Sequence, residues 1–146
     1  MKHLVWFVAV LGALGGRAAE AGADSNALAK FGLLGSWAVD CRAPPSASNP
    51  YQTFVPSTDG QPSRQLIVGN PDLDRLVPVH DVKELGSDRI SLSFPQNNIT
   101  VTVVLVKDKG RVRPLESSTS DGQSVVADGM VERTGQLTAW FQKCPD

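Results

Sequence analysis

Residues 89–118 read RISLSFPQNNITVTVVLVKDKGRVRPLESS, and this stretch decides the fold. Over 89–94, Ile90, Leu92 and Phe94 alternate with Ser91 and Ser93, the two-residue period of a half-buried strand. Gln96, Asn97 and Asn98 then mark a turn. Over 99–106, Ile99, Val101, Val103 and Leu105 again share one face, and Asp108-Lys109-Gly110 turns the chain into a third strand over 111–118. Three strands joined by two short turns predict an antiparallel meander.

The same grammar extends in both directions. Downstream, Asp121-Gly122 signals a hairpin before a strand over 123–127. Asp128-Gly129 breaks that segment, Met130 and Val131 resume it, and a last strand covers 137–144. Upstream, strands are predicted over 36–41, 51–55 and 64–68, the first placing Trp37, Val39 and Cys41 on one face. The proline- and serine-rich segment 42–50 is a loop, and a turn over 56–60 joins the next two strands. Residues 75–85 are ambiguous, because Pro78 requires either an unpaired edge or a bulge. Asp24 or Ser25 can cap a short helical segment over 26–31 that Gly32 interrupts. Eight or nine short strands with almost no helical period predict an all-β, antiparallel up-and-down barrel, with a β-sandwich as the alternative.

The first residues follow a different pattern. Lys2 and His3 lead into an apolar run over 4–14, and small residues follow at Ala19, Ala21 and Ala23. This is the layout of a secretory signal peptide, and the run is too short to cross a bilayer as a helix. The expected cut follows Ala23, with cuts after Ala19 or Ala21 and an uncleaved signal anchor as alternatives. The organisation is then a signal peptide over 1–23, a short helical segment over 24–34 and one β-domain over 35–146. The expected location is periplasmic or secreted.

Cleavage after Ala23 leaves 123 residues, enough for one hydrophobic core. It removes Lys2, Arg17 and Glu20 and takes the formal charge from −1 to −2, which gives no electrostatic reason to bind nucleic acid. No later segment reads as a membrane span, and a monomer is expected. Four basic residues, Lys107, Lys109, Arg111 and Arg113, flank one turn and could make a local anion-attracting rim, although solvated hairpin residues explain them as well.

Cys41 and Cys144 are the only cysteines, 103 positions apart, and export makes a structural disulfide the default. Closing so long a loop stabilises by about 4–5 kcal/mol in the chain-entropy model. In a closed even-stranded meander, however, the first and last strands run antiparallel. Cysteines late in both can therefore meet only if the count is odd near closure or the last strand is short and its tail folds back. Catalytic chemistry is sparse. His80 is the only histidine after the signal, and strand alternation should point Asp81 away from it. Asp72 and Asp74 lack the other oxygens of a calcium loop. Ser117 to Ser120 lack a nucleophile-elbow context, and there is no glycine-rich phosphate loop. No enzyme activity, cofactor or metal is expected. Asn98-Ile99-Thr100 matches a glycosylation sequon that a bacterial periplasmic protein would leave unused.

Gly35-Ser36-Trp37, at the entry to the first strand and just after a short helical turn, resembles the G-x-W signature of lipocalins and lipocalin-like (calycin) barrels. The resemblance implies that Trp37 plugs the narrow end of a barrel while Gly35 permits close approach beside it. The Thr-Asp-Tyr motif of true lipocalins is absent. With its C-terminal cysteine, the chain also resembles small periplasmic proteins of proteobacteria. Inhibitors of secreted metalloproteases share similar barrels, but their early cysteine pair has no match here.

Aromatic residues offer the functional lead. Tyr51, Phe54, Phe94 and Trp140 lie on predicted strands and could line a small apolar cavity, or simply fill the barrel. The expected function is an exported lipocalin-like binding module for a small apolar ligand or an envelope component. The alternative is a protein-interaction domain, such as an inhibitor of an exported hydrolase.

Overall fold

A computed structural model describes residues 16–56 and 60–146. The apolar run over 4–14 lies outside the described residues, as does most of the turn over 56–60. A helix, α1 (Gly16–Phe31), precedes β1 (Gly35–Ala38), β2 (Tyr51–Val55), β3 (Ser63–Ile67) and β4 (Arg75–Pro78). Then follow β5 (His80–Glu84), β6 (Arg89–Gln96), β7 (Ile99–Asp108) and β8 (Arg111–Thr119). β9 (Ser124–Ala127), β10 (Met130–Val131) and β11 (Phe141–Lys143) complete the described strands.

The strands form one antiparallel, nearly closed up-and-down barrel in the order β4-β3-β2-β1-β11-β8-β7-β6-β5. Nine strands lie on this path, and β9 and β10 form a side hairpin on β8. Local chemistry explains the tight turns. Asn97-Asn98, Lys109-Gly110 and Asp128-Gly129 each place two successive residues at positive φ, as two-residue hairpins of matching twist require. The segment that was ambiguous in sequence, 75–85, supplies both ends of the sheet. β4 pairs with β3 and β5 pairs with β6, and only the fully buried Val79 separates β4 from β5. One bent strand therefore joins the two edges. Val79 is held at the bend by its N–H, which donates to Pro62 O at 2.9 Å. Pro78 sits where β4 has β3 as its only ladder partner, so its missing N–H disrupts no second ladder.

α1 is longer than the 26–31 segment predicted, running back through the expected cleavage positions. Its alanine-rich sequence favours helix, and Ala21, Asp24, Leu28 and Phe31 recur at helical spacing as its buried stripe. The stripe packs on β5. Gly32, at φ +82°, ends the helix. Its N–H donates to Ala29 O and that of Leu33 donates to Leu28 O, the paired bonds of a Schellman motif. Leu28 and Leu33, both fully buried, make the apolar contact that accompanies such an end. They join Phe31, Trp37, Ile90, Leu105, Val112 and Phe141 in the main core, so α1 closes one end of the barrel.

Two terminal strands are shorter than predicted, and this resolves the disulfide geometry. The ladder sets Trp37 opposite Lys143, and the Cys144 N–H donates to Ser36 O at 2.8 Å. Cys144 thus lies opposite Ser36, five residues before Cys41. β1 ends at Ala38, however, and the chain bends at Val39 and turns at Cys41, which lets it double back across β11. The Cys41–Cys144 disulfide forms with a Cα–Cα distance of 5.4 Å. The last strand is short, as one foreseen route required, but the fold-back lies elsewhere. Cys144 stays in the ladder register, and the chain leaving β1 doubles back to meet it.

Candidate functional site

The inner face of β6, β7 and β8 follows the predicted alternation. Leu92 lies opposite Val103 and Phe94 opposite Val101, while Gln96 pairs with Ile99 at the hairpin end. A register shift between Val104 and Leu105 puts two β8 residues against one on β7, which lets Ser117 and Thr119 share the inner face with Val103 and Val101. These walls, with Gln52, Phe54 and Arg64 from β2 and β3, line a cavity of about 280 Å³ that is partly open to solvent. Its lining is mostly aliphatic and aromatic, with Gln52, Gln96, Ser117 and Thr119 as neutral polar groups.

Arg64 is the one charged residue in that lining. Its register partner Phe54 points inward, so the arginine does too. The Nε donates to Gln52 Oε1 at 3.0 Å, and the guanidinium carbon stands 4.5 Å from the centre of the Phe94 ring. Among the described residues no carboxylate pairs with it. The group is hemmed in by protein yet keeps surface facing the void. Burial pulls its pKa down to about 10, so it remains a cation at neutral pH. The stacking contributes about 0.5–2 kcal/mol, against a desolvation penalty of several kcal/mol for an unpaired buried ion. Arg64 also lines a second void of about 280 Å³, at the seam where β4 and β6 face each other without a ladder.

The four aromatic residues expected to line a cavity divide evenly. Phe54 and Phe94 do so. Tyr51 lies on the outer face, where its hydroxyl donates to Ala43 O at 2.7 Å and fastens the proline-rich loop. Asn49, buried in that loop, holds it further by donating to Asp40 O. Trp140 precedes β11 and stacks with Arg111 and Arg113, at 5.0 and 4.8 Å from ring centre to guanidinium carbon. The basic cluster is therefore partly engaged: two of its members pack on an aromatic ring. A third, Lys107, points to the closed end, where its Nζ donates to Phe31 O at 2.8 Å and lies over the Phe31 ring.

Trp37 sits at that closed end, buried, with its Nε1 donating to Leu33 O at 2.8 Å. Gly35 has φ +107°, and a Cβ there would come within 3.1 Å of Lys143 Cε. The expectation for His80 needs correction. Asp81 adopts φ +51° and the β5–β6 ladder shifts register between His80 and Lys83. Strand alternation therefore fails, and His80 Nδ1 meets Asp81 Oδ2 at 2.8 Å on an exposed surface. Asp74 accepts the Val68 N–H and Asp72 belongs to an exposed turn. No cluster of three metal-ligating side chains occurs among the described residues.

The chain matches no protein-family model, no curated protein and no solved structure. The nearly closed antiparallel barrel is consistent with the lipocalin-like resemblance at the level of fold. No helix among the described residues is long and apolar enough to cross a membrane.

Proposed function

We propose that this chain is an exported, monomeric binding module that holds a small apolar ligand inside its barrel and catalyses no reaction. The observation that carries this reading is the cavity of about 280 Å³ walled by Leu92, Phe94, Val101 and Val103. A half-open pocket of this size leaves apolar wall exposed that a ligand would cover, and it lies near the lower end of small-molecule sites. The inhibitor alternative calls for a filled barrel, and this interior is not filled. The disulfide and the apolar leader support export. An envelope component small enough to enter the cavity fits the same reading.

The test is uptake of 1-aminoanthracene, a small neutral fluorescent probe, by the full chain with its disulfide intact. Enhanced, saturable fluorescence is expected, and Val103→Phe, which fills the cavity, should abolish it while the protein stays folded by circular dichroism. No enhancement, or undiminished uptake by Val103→Phe, would refute the reading. Native mass spectrometry of exported material would then identify the ligand, whereas a co-purifying hydrolase on an empty barrel would favour the inhibitor.

A further inference from the structure

The geometry points to a head-group subsite at Arg64: the ligand is an amphiphile bearing one carboxylate, which pairs with this guanidinium while its apolar part fills the cavity. The inference rests on the cavity reading above and deepens it by naming the ligand's polar chemistry.

Four observations converge. Arg64 faces the void at neutral pH as a cation, with no acidic residue among the residues that line either adjoining void. Only its Nε has a hydrogen-bond partner among the described residues, the Gln52 side-chain oxygen. The terminal amines are the fork that matches a carboxylate with two parallel bonds, and they have no partner among the described residues. The side chain is also held in place, since stacking on Phe94 and the bond to Gln52 fix the guanidinium plane before any ligand arrives. Such preorganisation lowers the ordering cost of binding.

The charge count limits the class. The main cavity holds one cation and neutral polar groups, so a monoanion seated there is neutralised, and the second cation nearby, Arg75, lines only the adjoining void. The aliphatic walls of Leu92, Val101, Val103 and Leu105, interrupted only by the neutral groups of Gln52, Gln96, Ser117 and Thr119, call for a ligand whose remainder is mainly hydrocarbon. A free small carboxylate would leave those walls bare.

The experiment compares decanoate with 1-decanol as displacers of 1-aminoanthracene from the full, oxidised chain, in the native protein and in Arg64→Met and Arg64→Lys. The expected result is displacement by decanoate at about 10–100-fold lower concentration than by decanol. Arg64→Met should remove the difference, and Arg64→Lys should keep part of it. Equal displacement by the two in the native protein, or a preference that survives Arg64→Met, overturns the head-group assignment and leaves the apolar cavity standing. Failure of the probe and both displacers to bind overturns the cavity reading and this inference together. If Arg64→Met does not fold, the native comparison of decanoate with decanol decides alone.

Discussion

The indole Nε1 of Trp37 donates to the carbonyl of Leu33, 2.8 Å away and buried. This β1 residue thereby secures the chain reversal after α1, because Leu33 is also the residue whose N–H completes the helix end. Helix end and barrel base thus share one residue. Trp37→Phe should leave the Leu33 carbonyl without its donor and open a void, lowering unfolding free energy by at least about 1–3 kcal/mol. Urea unfolding followed by far-ultraviolet circular dichroism would measure it, and a change within error would show that the bond is dispensable.

The disulfide should matter in proportion to the loop it closes. Replacing both cysteines, as Cys41→Ser with Cys144→Ser, is expected to cost about 2–5 kcal/mol. The comparison is between urea midpoints of the variant and of the native oxidised protein. Similar midpoints would mean that the β1–β11 ladder and the core hold the ends together without it.

Two glycines at positive φ should respond differently to alanine. At Gly32 (φ +82°) an added Cβ meets nothing within 4 Å, so Gly32→Ala carries only the backbone penalty, about 1–2 kcal/mol. At Gly69 (φ +75°) the Cβ would sit 2.6 Å from the Pro45 carbonyl oxygen, adding a steric clash between the β3–β4 turn and the proline-rich loop. Gly69→Ala should therefore melt well below Gly32→Ala, and equal melting temperatures would contradict the close approach.

Asp24 lies on the buried stripe of α1. Desolvation raises its pKa, partly opposed by the bond it accepts from the Val82 N–H, and the nearby Asp81 carboxylate adds to the rise. The ordinary value is 3.8, so from there upward to the raised native value the folded protein binds more protons than the unfolded chain. Stability from this residue should fall as pH rises through that window. Asp24→Asn keeps an acceptor for Val82 and should remove the fall, visible as a flatter profile of urea midpoint against pH. An unchanged slope would show that Asp24 is solvated.

How much of this was legible in the sequence follows from what each feature depends on. The 89–118 meander was legible because alternation and turn chemistry are local, and β6, β7 and β8 form where the pattern places them. The bend at Val79 was not, since it is held by a bond to Pro62, just before β3. Asp81 escaped because one positive φ cancels the alternation rule. Tyr51 and Phe54 sit on one strand but on opposite faces, a parity that is fixed once Phe54 is known to point inward. Arg64 was overlooked because an arginine in a strand reads as solvent-facing. Its signal was present nonetheless: it shares parity with Leu66, two residues on, while Gln65 between them is exposed.

The Cys41–Cys144 link has a topological consequence. All the described strands except β1 lie between the two sulfurs, so nearly the whole barrel is a covalent ring with α1 and β1 attached as a tail. A single proteolytic nick anywhere within that ring leaves one molecule of unchanged mass, apart from an added water. The fragments would separate on a gel only after reduction.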